Sequence, residues 1–335
     1  MALALLPVIA GCSSSDSRVV LYCAQDREYA ESILAEFSAI TKVTVAAKYD
    51  TEAQKSVGLY QELVGEKDRP RCGVFWNNEI LNTIRLQRQG LLEPYESPSS
   101  ASYPDWTKAK DRTWQAFAAR PRVLIVHTSV PEAERPRSIL DLTDAKWKGK
   151  LAIAKPQFGT TATQAACLFD VLGVESAKAL YRGLKANDIT VVPGNKQVAQ
   201  AVADGQLLVG LTDSDDAIGE LNAGKAVAIV IPDRDGHPAR PRLGTLFLPN
   251  TVMVIKGAPN PDGARKLVDY LLSADVERRL AEGGGYQVPL NPEARATLHP
   301  ALVRPEQVKV MAVDWEKAAD LWDEAQQFLR DEFAR

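Results

Sequence analysis

Histidine is scarce in this chain. His127, His237 and His299 are its three, far apart and without the HExxH spacing that holds a catalytic zinc. The sequence also lacks a GxSxG elbow and a Gly-Lys phosphate loop, two common signatures of hydrolase and nucleotide chemistry. Carboxylate pairs of glycosidase type depend on a separation in space that sequence does not encode. The chain therefore reads as a non-enzyme. No block of Lys or Arg is present either: 40 basic residues stand against 43 acidic ones, for a formal net charge of -3. That balance leaves no electrostatic footprint for nucleic acid, which is not expected as a partner. Internal repeats and low-complexity tracts are missing too.

Cysteine is limited to Cys12, Cys23, Cys72 and Cys167. Cys23 closes one predicted strand and Cys72 opens another, so they fall at opposite ends of parallel neighbours, a poor geometry for a disulfide. Cys167 lies inside an apolar helix, as an ordinary buried thiol does.

What is present is a globular composition, 45% hydrophobic and 25% charged, over 335 residues, long enough for two domains. Met1 to Ala10 is uncharged and apolar, too short to span a bilayer, and ends in Ile9-Ala10-Gly11-Cys12 before a Ser-rich stretch. This reads as a signal peptide over 1–11, and Ile-Ala-Gly-Cys resembles the lipobox of bacterial lipoproteins. Cys12 is the lipidation site in that reading, followed by a linker over 12–18.

Beyond the linker, VVLYC (19–23), VTVAAK (43–48) and CGVFW (72–76) read as strands alternating with helices over 27–40, 54–64 and 80–89. These are βαβ units with a parallel sheet. RVLIVH (122–127) and LAIA (151–154) are further strands, and Phe158-Gly159-Thr160-Thr161 opens an apolar helix, suited to a cap or to an anion cradle. A second set of alternations covers 175–231. At its centre, Leu207 to Ala217 (LLVGLTDSDDA) is an apolar strand that ends in a turn with three carboxylates. Ligands of open α/β sheets sit beyond the carboxyl ends of strands, and a helix N-terminus favours negative charge there. Two extended pieces, 245–248 and 251–255, broken at Pro249-Asn250, bring the chain back toward its first half. A helical pair (261–273, 275–282), the turn Gly283-Gly284-Gly285-Tyr286 and a charged amphipathic helix over 315–333 follow.

The lipoprotein-like start, the FWNNE strand exit, the GLTDSDD turn, the PNTV crossing with IKGAPNP and the GGYQVPLNP segment resemble an extracellular solute-binding protein of a bacterial ABC importer, family 1. The likeness is to the ferric-iron-binding branch, which includes relatives for phosphonates, sugar phosphates and thiamine. The resemblance implies an α/β fold of the two-lobed, type II periplasmic-binding-protein kind, each lobe a mixed, mainly parallel sheet flanked by helices and joined by two crossing strands. It divides the chain into lobe 1 (19–125), lobe 2 (126–244) and a return to lobe 1 with the C-terminal helices (245–335). It also implies a permease with its ATPase as partners, a monomer, and a lipid-anchored location in the periplasm or at the cell surface.

Iron binders carry adjacent tyrosines at the turn where this chain has Asp215 and Asp216, and a His where it has Asp26. The expected ligand-binding set is Asp26, Trp76, Glu79, Thr160, Thr161, Asp213, Asp215, Asp216 and Tyr286. Asp215, Asp216, Asp26 and Glu79 are the candidate metal ligands. Clustered oxygens suit hard cations, so a metal ion carried as cargo ranks first, with no resident cofactor. An organic cation against Trp76 and Tyr286 ranks second, and a phosphorylated anion at the Thr160–Thr161 turn third.

Overall fold

A computed structural model describes residues 18–50 and 57–333 of the chain. The signal peptide, Cys12, the linker up to residue 17 and the start of the helix expected from residue 54 lie outside the described residues. The elements run β1 (Arg18–Cys23), α1 (Arg27–Thr41), β2 (Thr44–Tyr49), α2 (Val57–Gly65), β3 (Val74–Asn77), α3 (Leu81–Arg88), β4 (Leu92–Glu93) and β5 (Gln115–His127). They continue as β6 (Leu151–Ala154), α4 (Gly159–Leu172), α5 (Val174–Ala186), β7 (Thr190–Val192), α6 (Asn195–Ala203), β8 (Val209–Asp213), α7 (Ser214–Asn222) and β9 (Val227–Val230). The chain closes with β10 (Phe247–Ile255), α8 (Pro261–Leu271), α9 (Ala274–Glu282), α10 (Trp315–Asp320) and α11 (Trp322–Phe333).

Hydrogen-bonded strands follow the order β2-β1-β3-β10-β5-β8-β6-β7, with β4 added to β10 and β9 to β5. At one end β2, β1 and β3 are parallel, and at the other β7, β6 and β8 are parallel. Between them β10 and β5 run antiparallel to their neighbours. Strand β5 belongs to both halves: residues 115–121 pair with β10, and 122–126 pair with β8. The strand is longer than the RVLIVH stretch, because it runs back through Pro121 and the buried Arg120 to Gln115. The run that Pro249-Asn250 was expected to break is one strand with a register shift between those two residues. Opposite the shift, Ala118 takes φ +40°. A non-glycine residue holds such a backbone only when its surroundings enforce it. Here Asn250 Nδ2 donates to Ala118 O, and Ala118 N donates to the buried Glu277 carboxylate.

One apolar cluster runs through both halves, from Phe37 and Phe75 to Leu168 and Phe169. The C-terminal helix expected over 315–333 is two helices that meet at Leu321. They do not lie simply on the outside: α10 packs on both α3 and α4, and α11 packs on α4. Arg88 of α3 pairs with Glu316 and Asp320 of α10 at 2.7 Å each, and Phe169 of α4 meets Phe328 of α11 with ring centroids 6.0 Å apart. Among the described residues no helix is long and apolar enough to cross a membrane.

Candidate functional site

The carboxyl ends of the parallel strands from both halves converge on one small cavity. Beyond β1 lies Asp26, the residue before α1, and beyond β3 lies Asn78. From the other half come Gly159 and Thr160 at the start of α4, the Pro193–Asn195 turn before α6, and Asp213, Asp215 and Asp216 where β8 passes into α7. The helix begins at Ser214 rather than after the acidic turn, so Asp215 and Asp216 occupy its first turn, where the helix dipole favours them. The cavity measures about 20 Å³, room for roughly one water-sized body.

Arg120 lines the cavity, and Arg122 lies behind its wall, bonded to Asp213. Arg120 and Arg122 are two residues apart in β5, so both point to one face of the strand, and they are 1% and 0% exposed. A guanidinium buried this far must be paired. Arg122 donates through Nε to Gln164 Oε1 at 2.9 Å and through Nη1 to Asp213 Oδ1 at 2.7 Å and Asn195 Oδ1 at 3.0 Å. Asp213 Oδ2 accepts from Thr160 Oγ1 at 2.7 Å and from Asn195 Nδ2 at 3.1 Å. Arg120 reaches both halves. It donates to Asn78 O at 2.7 Å and Gln25 Oε1 at 3.3 Å, and its Nη1 stands 3.7 Å from Asp215 Oδ2.

Carboxylate oxygens of Asp213, Asp215 and Asp216 lie within 4.8 Å of one another. With Asp26 they make four carboxyl groups around Arg120 of the lining and Arg122 behind it. Burial pushes the Asp213 carboxyl up, but the Arg122 and Arg120 charges and the hydrogen bonds from Arg122 and Thr160 outweigh it and hold it below the usual range. Burial likewise works against a charged Arg120, yet Asp215, Asp213, Asp26 and Asp216 hold its guanidinium above its ordinary value.

Of the residues expected from sequence, Asp26, Thr160, Asp213, Asp215 and Asp216 line this cavity. Thr161 stands one step back, with its Oγ1 accepting from Arg122 Nη2 at 3.3 Å. Three others are placed elsewhere. Trp76 is fully buried inside β3 against Phe117, at 5.5 Å between ring centroids. Glu79 turns inward to cap α3, accepting from Leu81 N at 2.6 Å and Asn82 N at 3.0 Å, and it also accepts from Thr163 Oγ1 of α4 at 2.9 Å. Burial holds its carboxyl above the ordinary range, so it acts as a buried clasp between α3 and α4. Tyr286 accepts from Asn222 Nδ2 of α7 at 2.8 Å and meets His299 edge-on, again outside the cavity. Sequence reading missed Arg120, Arg122, Asn195 and Asn78. The signal for the arginines was present: two charges at i and i+2 inside an otherwise apolar run.

The description "bacterial extracellular solute-binding protein" fits residues 83–320, more than half of the chain. The chain belongs to that family. Among curated relatives, this solute-binding protein is 24% identical over 293 residues to Iron uptake protein A1 of Synechocystis sp., covering 84% of this chain and 78% of that one. Its structure is similar to the periplasmic binding protein AfuA of Actinobacillus pleuropneumoniae with fructose-6-phosphate bound, with a TM-score of 0.82 at 23% identity over 95% of this chain and 98% of the other. It is also similar to iron-bound HitA of Pseudomonas aeruginosa, with a TM-score of 0.81 at 21% identity over 94% and 99%. These likenesses show the two-lobed α/β fold of periplasmic binding proteins.

Proposed function

We propose that this solute-binding protein captures a metal cation between its lobes and delivers it to an ABC permease, without transforming it. One observation carries the reading: three aspartates with oxygens within 4.8 Å of one another line a cavity of about 20 Å³ in which four acids, with Asp26, stand against Arg120. Oxygen-only donors favour hard ions such as Fe³⁺, Mn²⁺ or Ca²⁺, and the relative named for iron uptake supports that class. Asp213 is bonded to Arg122, Thr160 and Asn195, and Asp215 stands 3.7 Å from Arg120. Asp215 and Asp216 of one lobe and Asp26 of the other, which line the same cavity, are the proposed ligands. An ion held from both sides favours the closed arrangement by its differential affinity for it. Export and a lipid at Cys12 complete the proposal: the chain would be tethered at the membrane beside its permease, and labelled palmitate should be incorporated by the full chain but not by Cys12→Ala.

A second reading rests on Arg120. Its Nε is buried without an acceptor, and it stands with the first turn of α4 at the cavity, an arrangement that suits a phosphorylated anion.

Thermal melts of the stripped protein separate the two. A cargo that binds the native state raises Tm with concentration. Iron, manganese or calcium should raise it, and Asp215→Ala with Asp216→Ala should weaken that ion at least about a hundredfold, the upper range found for mere outer-shell partners of a metal. A rise with phosphate or a phosphonate and none with any metal would leave the second reading standing and remove the first.

A further inference from the structure

A second concavity lies apart from the acidic cavity. A cavity of about 640 Å³ lies against the crossing strands, walled by Ala119 of β5, Phe247 and Pro249 of β10, and the segment that returns from α9 toward α10. It shares no residue with the acidic cavity. Ala119 and Arg120 are consecutive in β5 and point to opposite faces, so the two cavities sit on opposite sides of the strand. Its size is that of a small-molecule pocket.

The walls are apolar and stiff, and five prolines, 104, 249, 289, 292 and 305, contribute to them. At the rim Trp106 is 62% exposed and Val310 38%. These are two of the four large apolar side chains that stand exposed among the described residues, and both fall on this one opening. Two arginines, Arg295 and Arg304, join them. Arg304 Nη2 donates to Ala296 O at 3.0 Å, the carbonyl of the residue that follows Arg295. Neither is ion-paired among the described residues, although the exposed Glu306 also lines the cavity. An apolar interior with two guanidiniums against one carboxylate in its lining complements an apolar molecule that carries an anion.

We propose that this cavity binds a small amphipathic anion: an apolar chain or ring system carrying one carboxylate, sulfonate or phosphate, with the apolar body against Phe247 and Trp106 and the anion at Arg295 and Arg304. The site is independent of the cargo cleft.

The test is displacement of 8-anilinonaphthalene-1-sulfonate, itself an apolar anion, from the full chain at neutral pH by decanoate and by decan-1-ol. Decanoate should displace it at a single site, and the alcohol should bind about tenfold more weakly, since only the carboxylate makes charge-assisted bonds. Arg295→Gln with Arg304→Gln should bring decanoate to the level of the alcohol and leave the alcohol unchanged. Val310→Glu, at the exposed rim, provides a second variant: it should weaken decanoate more than decanol. Asp215→Ala with Asp216→Ala should leave decanoate binding as it was. Equal affinity for acid and alcohol, decanoate binding untouched by the arginine and rim substitutions, or its loss with the aspartates would each overturn the proposal.

Discussion

Replacing Arg122 by alanine would leave the Asp213 carboxylate, now met at 2.7 Å, buried beside Thr160 and Asn195 without its counter-charge. Breaking a buried pair from one side costs about 3–5 kcal/mol, so the variant should unfold at markedly lower urea. Arg122→Ala with Asp213→Ala should recover part of that loss, and a double variant no more stable than the single one would show that the pairing is not the cause. The pair illustrates which residues sequence could and could not assign. The DSDD turn was legible because acids follow an apolar strand. Arg122 was not, because its partners Gln164 and Asp213 are 42 and 91 positions away and only folding brings them together. Glu79 shows the converse. It was legible as a strand exit, but the bare amides at the start of α3 turned it inward.

Elements were easier to recognise than side-chain directions, since periods of 2 and 3.6 residues are local properties. What sequence missed at this scale is the continuity of β5 through Arg120 and Pro121 and of β10 through Pro249. The joint between them is held by Glu277 of α9, which accepts from the backbone N–H of Ala118, Leu290 and Asn291. Burial pushes its carboxyl up to about 7 from 4.5, although those bonds from Asn291, Ala118 and Leu290 oppose the shift. Its folded pKa therefore lies above its unfolded value, and the folded state holds more protons between these two pH values. Stability should fall as pH rises from 4.5 to 7, by on the order of 3 kcal/mol from this group alone. Urea titrations across that window would measure the slope. Glu277→Gln should flatten it, and an unchanged slope would assign the effect to other carboxyls.

For the whole molecule, the two-lobed form was implied by the resemblance to solute-binding proteins, and two sets of βαβ alternations with a return of the chain between them agree with it. The contacts that hold the lobes against each other were not. Thr163 Oγ1 of α4 donates to Glu79 at 2.9 Å, and Glu79 at the same time caps α3. Thr163→Val keeps the shape and removes that bond, so the cargo-free protein should shift toward an open form, visible as a larger radius of gyration by X-ray scattering. Cargo affinity should drop several-fold, since part of the binding energy then goes into closing the lobes. An unchanged radius with unchanged affinity would mean that packing alone holds them closed.

The strand order also bears on how the molecule comes to be. Phe75 in β3 is paired with Met253 in β10, across nearly the whole intervening chain. Pairings this distant in sequence close slowly, because the loop must be ordered before the contact stabilises anything. During synthesis the first three strands must therefore wait, with one edge of β3 unpaired, while the entire second set of βαβ units emerges. The half of the protein made first is the half completed last, and its exposed edge is where a chaperone or a wrong partner would act.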